Sequence, residues 1–267
     1  MLSRRIATSL FLASVTLWSL FCGNAFIFAI VAFGYVTLAL YEFFTLLRAA
    51  KIPCYRLFGV AMGAILPLVI AADHGASKSG EVLFIVIGCL FLFILQFSKG
   101  TNADALTGIA MTLFGILYVG WFLSFNVKMR YLEGGPLWVA YVITVTKFAD
   151  IGAYTFGSLF GKHPLIKHVS PKKSVEGFFG GVLLSLVVSL LFFNHLPRQW
   201  NLPHLAVLGL LIGVVGQIGD LSESLMKRFC QAKDSGAILP GMGGVLDTVD
   251  SILFTVPIFY FHLTVFG

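Results

Sequence analysis

Ala25-Phe-Ile-Phe-Ala-Ile-Val-Ala-Phe-Gly-Tyr-Val-Thr-Leu-Ala-Leu-Tyr-Glu42-Phe-Phe-Thr-Leu-Leu47 runs for 23 residues with a single charged side chain. About 20 mostly apolar residues in a helix cross the hydrocarbon core of a bilayer. This stretch therefore reads as a membrane span. Comparable runs lie at 6–22, 57–72, 82–97, 105–127, 136–160, 177–195, 204–221 and 245–266. No segment alternates apolar and polar residues as a membrane β-barrel would, so helices must satisfy the backbone in lipid. The expectation is an all-α, polytopic membrane protein with nine transmembrane helices. Only Gly23-Asn24 separates the first two.

Composition agrees. Of 267 residues, 58% are hydrophobic and only 11% charged. Soluble domains are roughly 25% charged. Mean hydropathy is +0.93, which excludes both a soluble fold and a disordered chain. No repeat, low-complexity run or linker divides the sequence. Residues 1–267 are expected to form one membrane domain, with the chemistry in 136–266.

Positive charge tests the count of spans, because cytoplasmic loops carry the Lys and Arg excess. With the N-terminus inside, the inner loops hold thirteen: Arg4, Arg5, Arg48, Lys51, Arg56, Lys99, Lys162, Lys167, Lys172, Lys173, Lys227, Arg228 and Lys233. The outer loops hold four: Lys78, Lys128, Arg130 and Arg198. Nine spans with the N-terminus cytoplasmic and the C-terminus outside fit this bias. Loops 161–176 and 222–244 then share the cytoplasmic face. The net charge of +6 reflects topology, not nucleic-acid binding.

Arg4-Arg5 before an apolar run could open a signal peptide. Ser19-Leu20-Phe21-Cys22 lacks the small residues of a cleavage site, so an uncleaved first span is expected. Cys22, Cys54, Cys89 and Cys230 have neither CxxC nor zinc-site spacing, and a disulfide framework is not expected. Glu42, Asp73, Glu81 and Asp104 are scattered near span ends and read as interfacial.

Two polar stretches stand apart. In the sixth segment Lys147 and Asp150 are three residues apart and share a helix face. A charge in a span costs about 2.5–3.5 kcal/mol on insertion scales. The two either close on each other or line a polar cavity. After them comes Ser170-Pro171-Lys172-Lys173-Ser174-Val-Glu176-Gly177. Its hydroxyls, paired ammonium groups and stiff turn suit phosphate oxygens, helped by the free amides of a helix start at Ser174. A plain basic loop on anionic lipid is the other reading.

The second stretch runs from Asp220 through Glu223, Ser224, Lys227, Arg228, Lys233, Asp234 and Pro240-Gly-Met242-Gly-Gly244 to Asp247, Thr248 and Asp250. Five of the twelve acidic residues lie between 220 and 250. Asp247 and Asp250 are spaced for one helix face. Carboxylates at helix ends facing lysines suit a divalent cation and a polyphosphate together. Gly241–Gly244 lets the backbone approach a ligand.

This stretch closely resembles the signature of phosphatidate cytidylyltransferases, the CDP-diacylglycerol synthases. Asp150-x-Gly-Ala-Tyr…Gly161-Lys162…Ser170-Pro-Lys-Lys-Ser-x-Glu176-Gly177 resembles a second block of that family. The two lie in the family's order over about 100 residues. The resemblance implies a membrane enzyme that joins CTP and phosphatidic acid into CDP-diacylglycerol and pyrophosphate. It implies magnesium, with room for a second cation, held by Asp220 and Asp247 with Asp250 close by. Lys172, Lys173, Lys227, Arg228 and Lys233 would contact phosphates, beside Ser170, Ser174 and Ser224. Lys147, Asp150, Glu176 and Asp234 are further polar candidates. Membrane lipids and a second copy of the chain are the implied partners. The lack of soluble extensions favours a bacterial inner membrane, with the site on the cytoplasmic side. Met242 and Thr248 stand where the family commonly has His and Arg, yet every carboxylate and basic pair is present, so an active enzyme is expected.

Three other activities compete. A CTP-using lipid kinase would transfer the γ-phosphoryl group. A CDP-alcohol phosphotransferase would need a closely spaced aspartate pattern that is missing. A transporter could use Lys147 and Asp150 as a polar path, but paired repeats and broken helices are not evident.

Overall fold

The computed structural model describes residues 2–74, 80–98, 100, 104–197 and 200–266. Lys78, Lys99 and Arg198 of the charge count lie outside them, as do the side chains of Arg4 and Arg5. Most of the described chain is helical: α1 (Leu2–Phe21), α2 (Ala25–Ala49), α3 (Arg56–Ala72), α4 (Gly80–Phe97), α5 (Ala105–Gly115), α6 (Phe122–Arg130), α7 (Gly135–Phe160), α8 (Val175–Leu191), α9 (Leu202–Phe229), α10 (Leu246–Val249) and α11 (Ile252–Phe266). A π-helical turn, Ile116–Trp121, joins α5 to α6 in one rod. Each of the nine apolar segments is thus helical. Local signals set the boundaries. Asn24 caps α2 by accepting from the Ile27 N–H at 2.8 Å, and Ser174 caps α8 by accepting from Gly177 N–H at 3.1 Å.

Among the described residues, five helical stretches are long and apolar enough to cross a membrane: Ala25–Ala49, Gly80–Phe97, Ala105–Arg130, Leu202–Phe229 and Leu246–Val265. On α4, Leu83, Leu90, Ile94 and Phe97 all point outward. Such a surface is stable only in an apolar medium. The protein is an all-α membrane protein.

The chain forms two compact units. Met1–Tyr131 and Cys230–Leu246 make the first. Its core is Leu40, Phe44, Leu66, Leu92 and Val119. Two acidic residues expected at interfaces are buried here instead. Glu81 pairs with Lys128 and accepts from the Trp121 indole. Glu42 is 2% exposed. Charges inside an apolar helix persist only with partners, and tertiary contacts supply them. Asp73 and Asp104 do lie at helix ends.

Leu132–Phe229 and Asp247–Gly267 make the second unit. Trp138, Tyr141 and Phe259 pack as an aromatic cluster. Helices α7, α8 and α9 lie side by side through small residues. A Cβ on Gly152 would stand 2.7 Å from the Gly180 carbonyl oxygen, so only glycine allows that crossing. The Ser185 and Ser189 hydroxyls donate to the Gly209 and Leu205 carbonyls, at 2.9 and 2.7 Å.

Three local expectations fail. Residues 161–176, expected as a loop with a stiff turn, contain an antiparallel hairpin of β1 (Pro164–Ile166) and β2 (Ser170–Ser174). Helix α9 does not end at 221. It continues to Phe229, so Ser222–Phe229 is helix, not loop. The last segment is not continuous: Asp250 and Ser251 interrupt it between α10 and α11.

Candidate active site

The extension of α9 builds the site. Asp220, Glu223, Ser224 and Lys227 follow one another at i, i+3, i+4 and i+7, so they line one face. Lys227 pairs with Glu223 on its own helix and with Asp247 Oδ1 of α10 at 2.6 Å. Asp220 pairs with Lys173 Nζ from β2 at 2.6 Å. The same ammonium donates to Ser224 Oγ at 3.4 Å.

Strand β2 separates its two lysines. Side chains alternate along a strand. Lys173 is turned to α9, and Lys172 is exposed. Ser170 is half-buried, while the Ser174 oxygen serves as the α8 cap. Arg228, one residue past Lys227, leaves that face, and its Nε–H reaches the Val169 carbonyl at 3.4 Å.

Lys147 and Asp150 do close on each other, at 2.9 Å, but not only on each other. Lys147 also donates to the Thr248 carbonyl at 2.8 Å and to Ser251 Oγ at 3.0 Å. The last carbonyls of a helix lack intrahelical donors. The lysine satisfies one where α10 stops, and Ser251 passes the contact on by donating to Asp150 Oδ2 at 2.8 Å. Asp250 is 7% exposed, and Asp220, Glu223 and Asp150 are the carboxylates whose charge reaches it. The helix break removes the shared face expected for Asp247 and Asp250. Asp247 joins Lys227, and Asp250 takes the N–H of Ser251 at 2.6 Å.

Glu176 is otherwise engaged. Its carboxylate accepts the backbone N–H groups of Lys162 and His163 and meets His163 Nδ1 at 2.6 Å. The imidazole first, then the backbone amides of Glu176 itself, Lys162 and His163, hold the carboxyl down at about 2 from an ordinary 4.5. Lys233 and Asp234 belong to the first unit, where both are exposed. Sequence reasoning passes over Glu223 and Ser251 as site residues. The Asp220-x-x-Glu223-x-x-x-Lys227 spacing is the available signal for the first, and the second has none.

Comparison with known sequences decides the family: the pattern of the cytidylyltransferase family matches residues 3–266. The chain belongs to the cytidylyltransferase family. It is 34% identical to the phosphatidate cytidylyltransferase of Bacillus subtilis (strain 168) over 277 residues, covering 100% of this chain and 99% of that one. It is 33% identical to that of Brucella suis biovar 1 (strain 1330), covering 100% and 94%. With the enzyme of Staphylococcus saprophyticus it shares 35% identity over 73% and 74% of the two chains. Membership makes it a CTP-dependent nucleotidyltransferase, and the charged network is where such chemistry can occur.

Among the described residues, no three His, Cys, Asp or Glu side chains cage an ion by themselves. Magnesium does not need that: it commonly takes one or two carboxylates and completes its shell with water and substrate phosphates. The donor set fits this mode. Five carboxyl groups, Asp150, Asp220, Glu223, Asp247 and Asp250, gather around three lysines, Lys147, Lys173 and Lys227, so oxygen donors outnumber the ammonium groups that hold them. Asp150 Oδ1 is buried with no hydrogen-bond partner among the described residues.

Proposed function

We propose that this protein transfers the cytidylyl group of CTP to phosphatidate, forming CDP-diacylglycerol and releasing pyrophosphate. The observation that carries the reading is the whole-length likeness to phosphatidate cytidylyltransferases. The charged face of α9 supports it, because the reaction brings together two phosphate-bearing substrates. A phosphatidate oxygen attacks the α-phosphorus of CTP. The bond to the oxygen bridging to the β-phosphorus breaks, and that oxygen leaves with pyrophosphate. The nucleophile is already anionic near neutral pH, so no strong general base is required. Lys173 and Lys227 exchange their carboxylate partners for phosphate oxygens, and Arg228 and the exposed Lys172 add positive charge. Ser170, Ser174 and Ser224 provide short donors beside them. Asp220 and Asp247 would hold magnesium, with Asp250 nearby, and the metal supplies charge neutralisation on the phosphate oxygens. The protein's share is positioning and electrostatics.

The nine helical segments and the Lys and Arg bias support nine crossings with the N-terminus cytoplasmic and the C-terminus outside. The bacterial relatives support an inner-membrane location, with the site facing CTP in the cytoplasm. A homodimer belongs to the same reading.

The test is incubation of membranes holding the protein with magnesium, phosphatidic acid and CTP labelled in the cytidine. Label in the lipid fraction with pyrophosphate released, and neither when magnesium is omitted, is expected. Transfer of γ-phosphate to a lipid alcohol instead would assign a lipid kinase, and neither product from folded protein would end the enzymatic reading.

A further inference from the structure

Glu42 has no place in the chemistry described so far. It sits within α2, 193 residues before Ser235, and is followed by the buried Phe43 and Phe44. Its carboxylate nevertheless organises the motif loop. Oε2 accepts the Leu246 N–H at 2.8 Å and the Ser235 hydroxyl at 3.3 Å. Both ends of the segment 235–246 thereby meet one oxygen. The loop is shaped to admit it. A Cβ on Gly236 would stand 2.8 Å from the Glu42 carboxyl carbon, and one on Gly244 would stand 2.7 Å from it. Between those glycines the chain reverses tightly, with Leu239 and Gly243 bridged and the Met242 N–H donating to the Leu239 carbonyl at 3.1 Å. Ser9 of α1 donates to Met242 Sδ at 3.2 Å.

The consequence lies in chain order. Leu246 is the first residue of α10, and Asp247 follows it directly. A helix start has free N–H groups that need an acceptor. Glu42 takes that of Leu246, so the peptide plane entering Leu246, one residue before Asp247, is held by a residue of α2. We propose that Glu42 is a positioning residue for this enzyme: a buried anchor for the loop 235–246 that fixes where α10 begins and so where the Asp247 carboxylate points. The inference rests on the cytidylyl-transfer reading. It also accounts for a charge placed in an otherwise apolar helix, where an unpartnered carboxylate would be costly. The two donors of the loop offset that cost.

The test compares Glu42→Ala and Glu42→Gln in the full-length protein. Glutamine keeps a carbonyl oxygen for the Leu246 N–H, and alanine keeps none. Turnover should fall roughly tenfold to a hundredfold in Glu42→Ala, the scale of losing hydrogen bonds to a charged group. Its KM for CTP should change far less, and Glu42→Gln should recover most of the rate. A second readout is independent of activity. Cys230 opens the loop segment and is 8% exposed. Its maleimide labelling, mapped by peptide mass spectrometry, should quicken in Glu42→Ala and stay near wild type in Glu42→Gln. If Glu42→Ala does not fold, Glu42→Met replaces it. Wild-type turnover in the alanine variant, or equal losses in the alanine and glutamine variants, would overturn the proposal. No cytidylyl transfer by the wild-type protein would instead overturn the functional reading. Cys230 labelling then decides the anchor alone, and an unchanged rate overturns it.

Discussion

Lys227 Nζ lies 2.6 Å from Asp247 Oδ1, across twenty residues of chain that leave α9, turn and return as α10. The same ammonium pairs with Glu223 one helical turn back. One cation thus joins two carboxylates. Lys227 is 13% exposed and Glu223 is 1% exposed, so solvent screens the cluster little. In the proposed reaction this lysine would release one carboxylate and take a phosphate oxygen in exchange.

The carboxylate should matter more than any exposed lysine. Asp247→Asn is expected to lower turnover by about a hundredfold or more, the scale of losing one preorganised electrostatic group. Lys172→Ala, on the exposed side of β2, should stay within about tenfold of wild type. Steady-state rates of CDP-diacylglycerol formation check both. A wild-type rate for Asp247→Asn would remove Asp247 from the site.

Removing Lys227 leaves Glu223 buried beside Asp247 with no counter-charge. Lys227→Met should cost about 3–5 kcal/mol of stability, as for a broken buried pair. Adding Glu223→Gln should restore part of the loss, because the neutral amide no longer repels Asp247. Denaturation of the two single variants and the double in detergent forms the cycle. Strictly additive losses would mean that the pair is not coupled.

The Glu176 carboxyl is held at about 2, below its ordinary 4.5. Its tether to Lys162 and His163 therefore stabilises the fold fully above pH 4.5. That contribution declines as the pH falls from there and is lost through about pH 2. The melting difference between wild type and Glu176→Gln should be present at pH 5 and shrink as the pH falls below about 4.5. A difference that grew as the pH fell would contradict the tether.

The α7–α8 crossing depends on Gly152. Gly152→Leu must push against the Gly180 carbonyl and Leu184, and overpacking of this kind costs about 1–3 kcal/mol. Folded yield in detergent should drop. Ile151→Leu, on an exposed neighbour, should leave it unchanged.

Asn24, Ser174 and the long runs of Leu, Ile, Val and Phe mark the helices in the chain itself, because capping and apolar periodicity act over a few residues. The carboxylates and basic pairs between 220 and 250 mark the chemistry for the same reason. Yet Lys172 and Lys173 are equivalent as neighbours in sequence, and only β2 puts them on opposite faces. Ser222–Phe229 reads as loop because its polar residues hide a helix supported by hairpin and α10 contacts. Asp247 and Asp250 read as one face, whereas Lys147, from another helix, satisfies the break between them. Glu42 reads as an interfacial charge, since its partner Leu246 is 204 residues away. Sequence by itself determined where the apolar helical segments lie, that they belong in a membrane and which family's motifs they carry. The tertiary structure alone decided which charges meet, because a buried charge is stable only beside its partner, and the partners here are brought together by packing between distant elements.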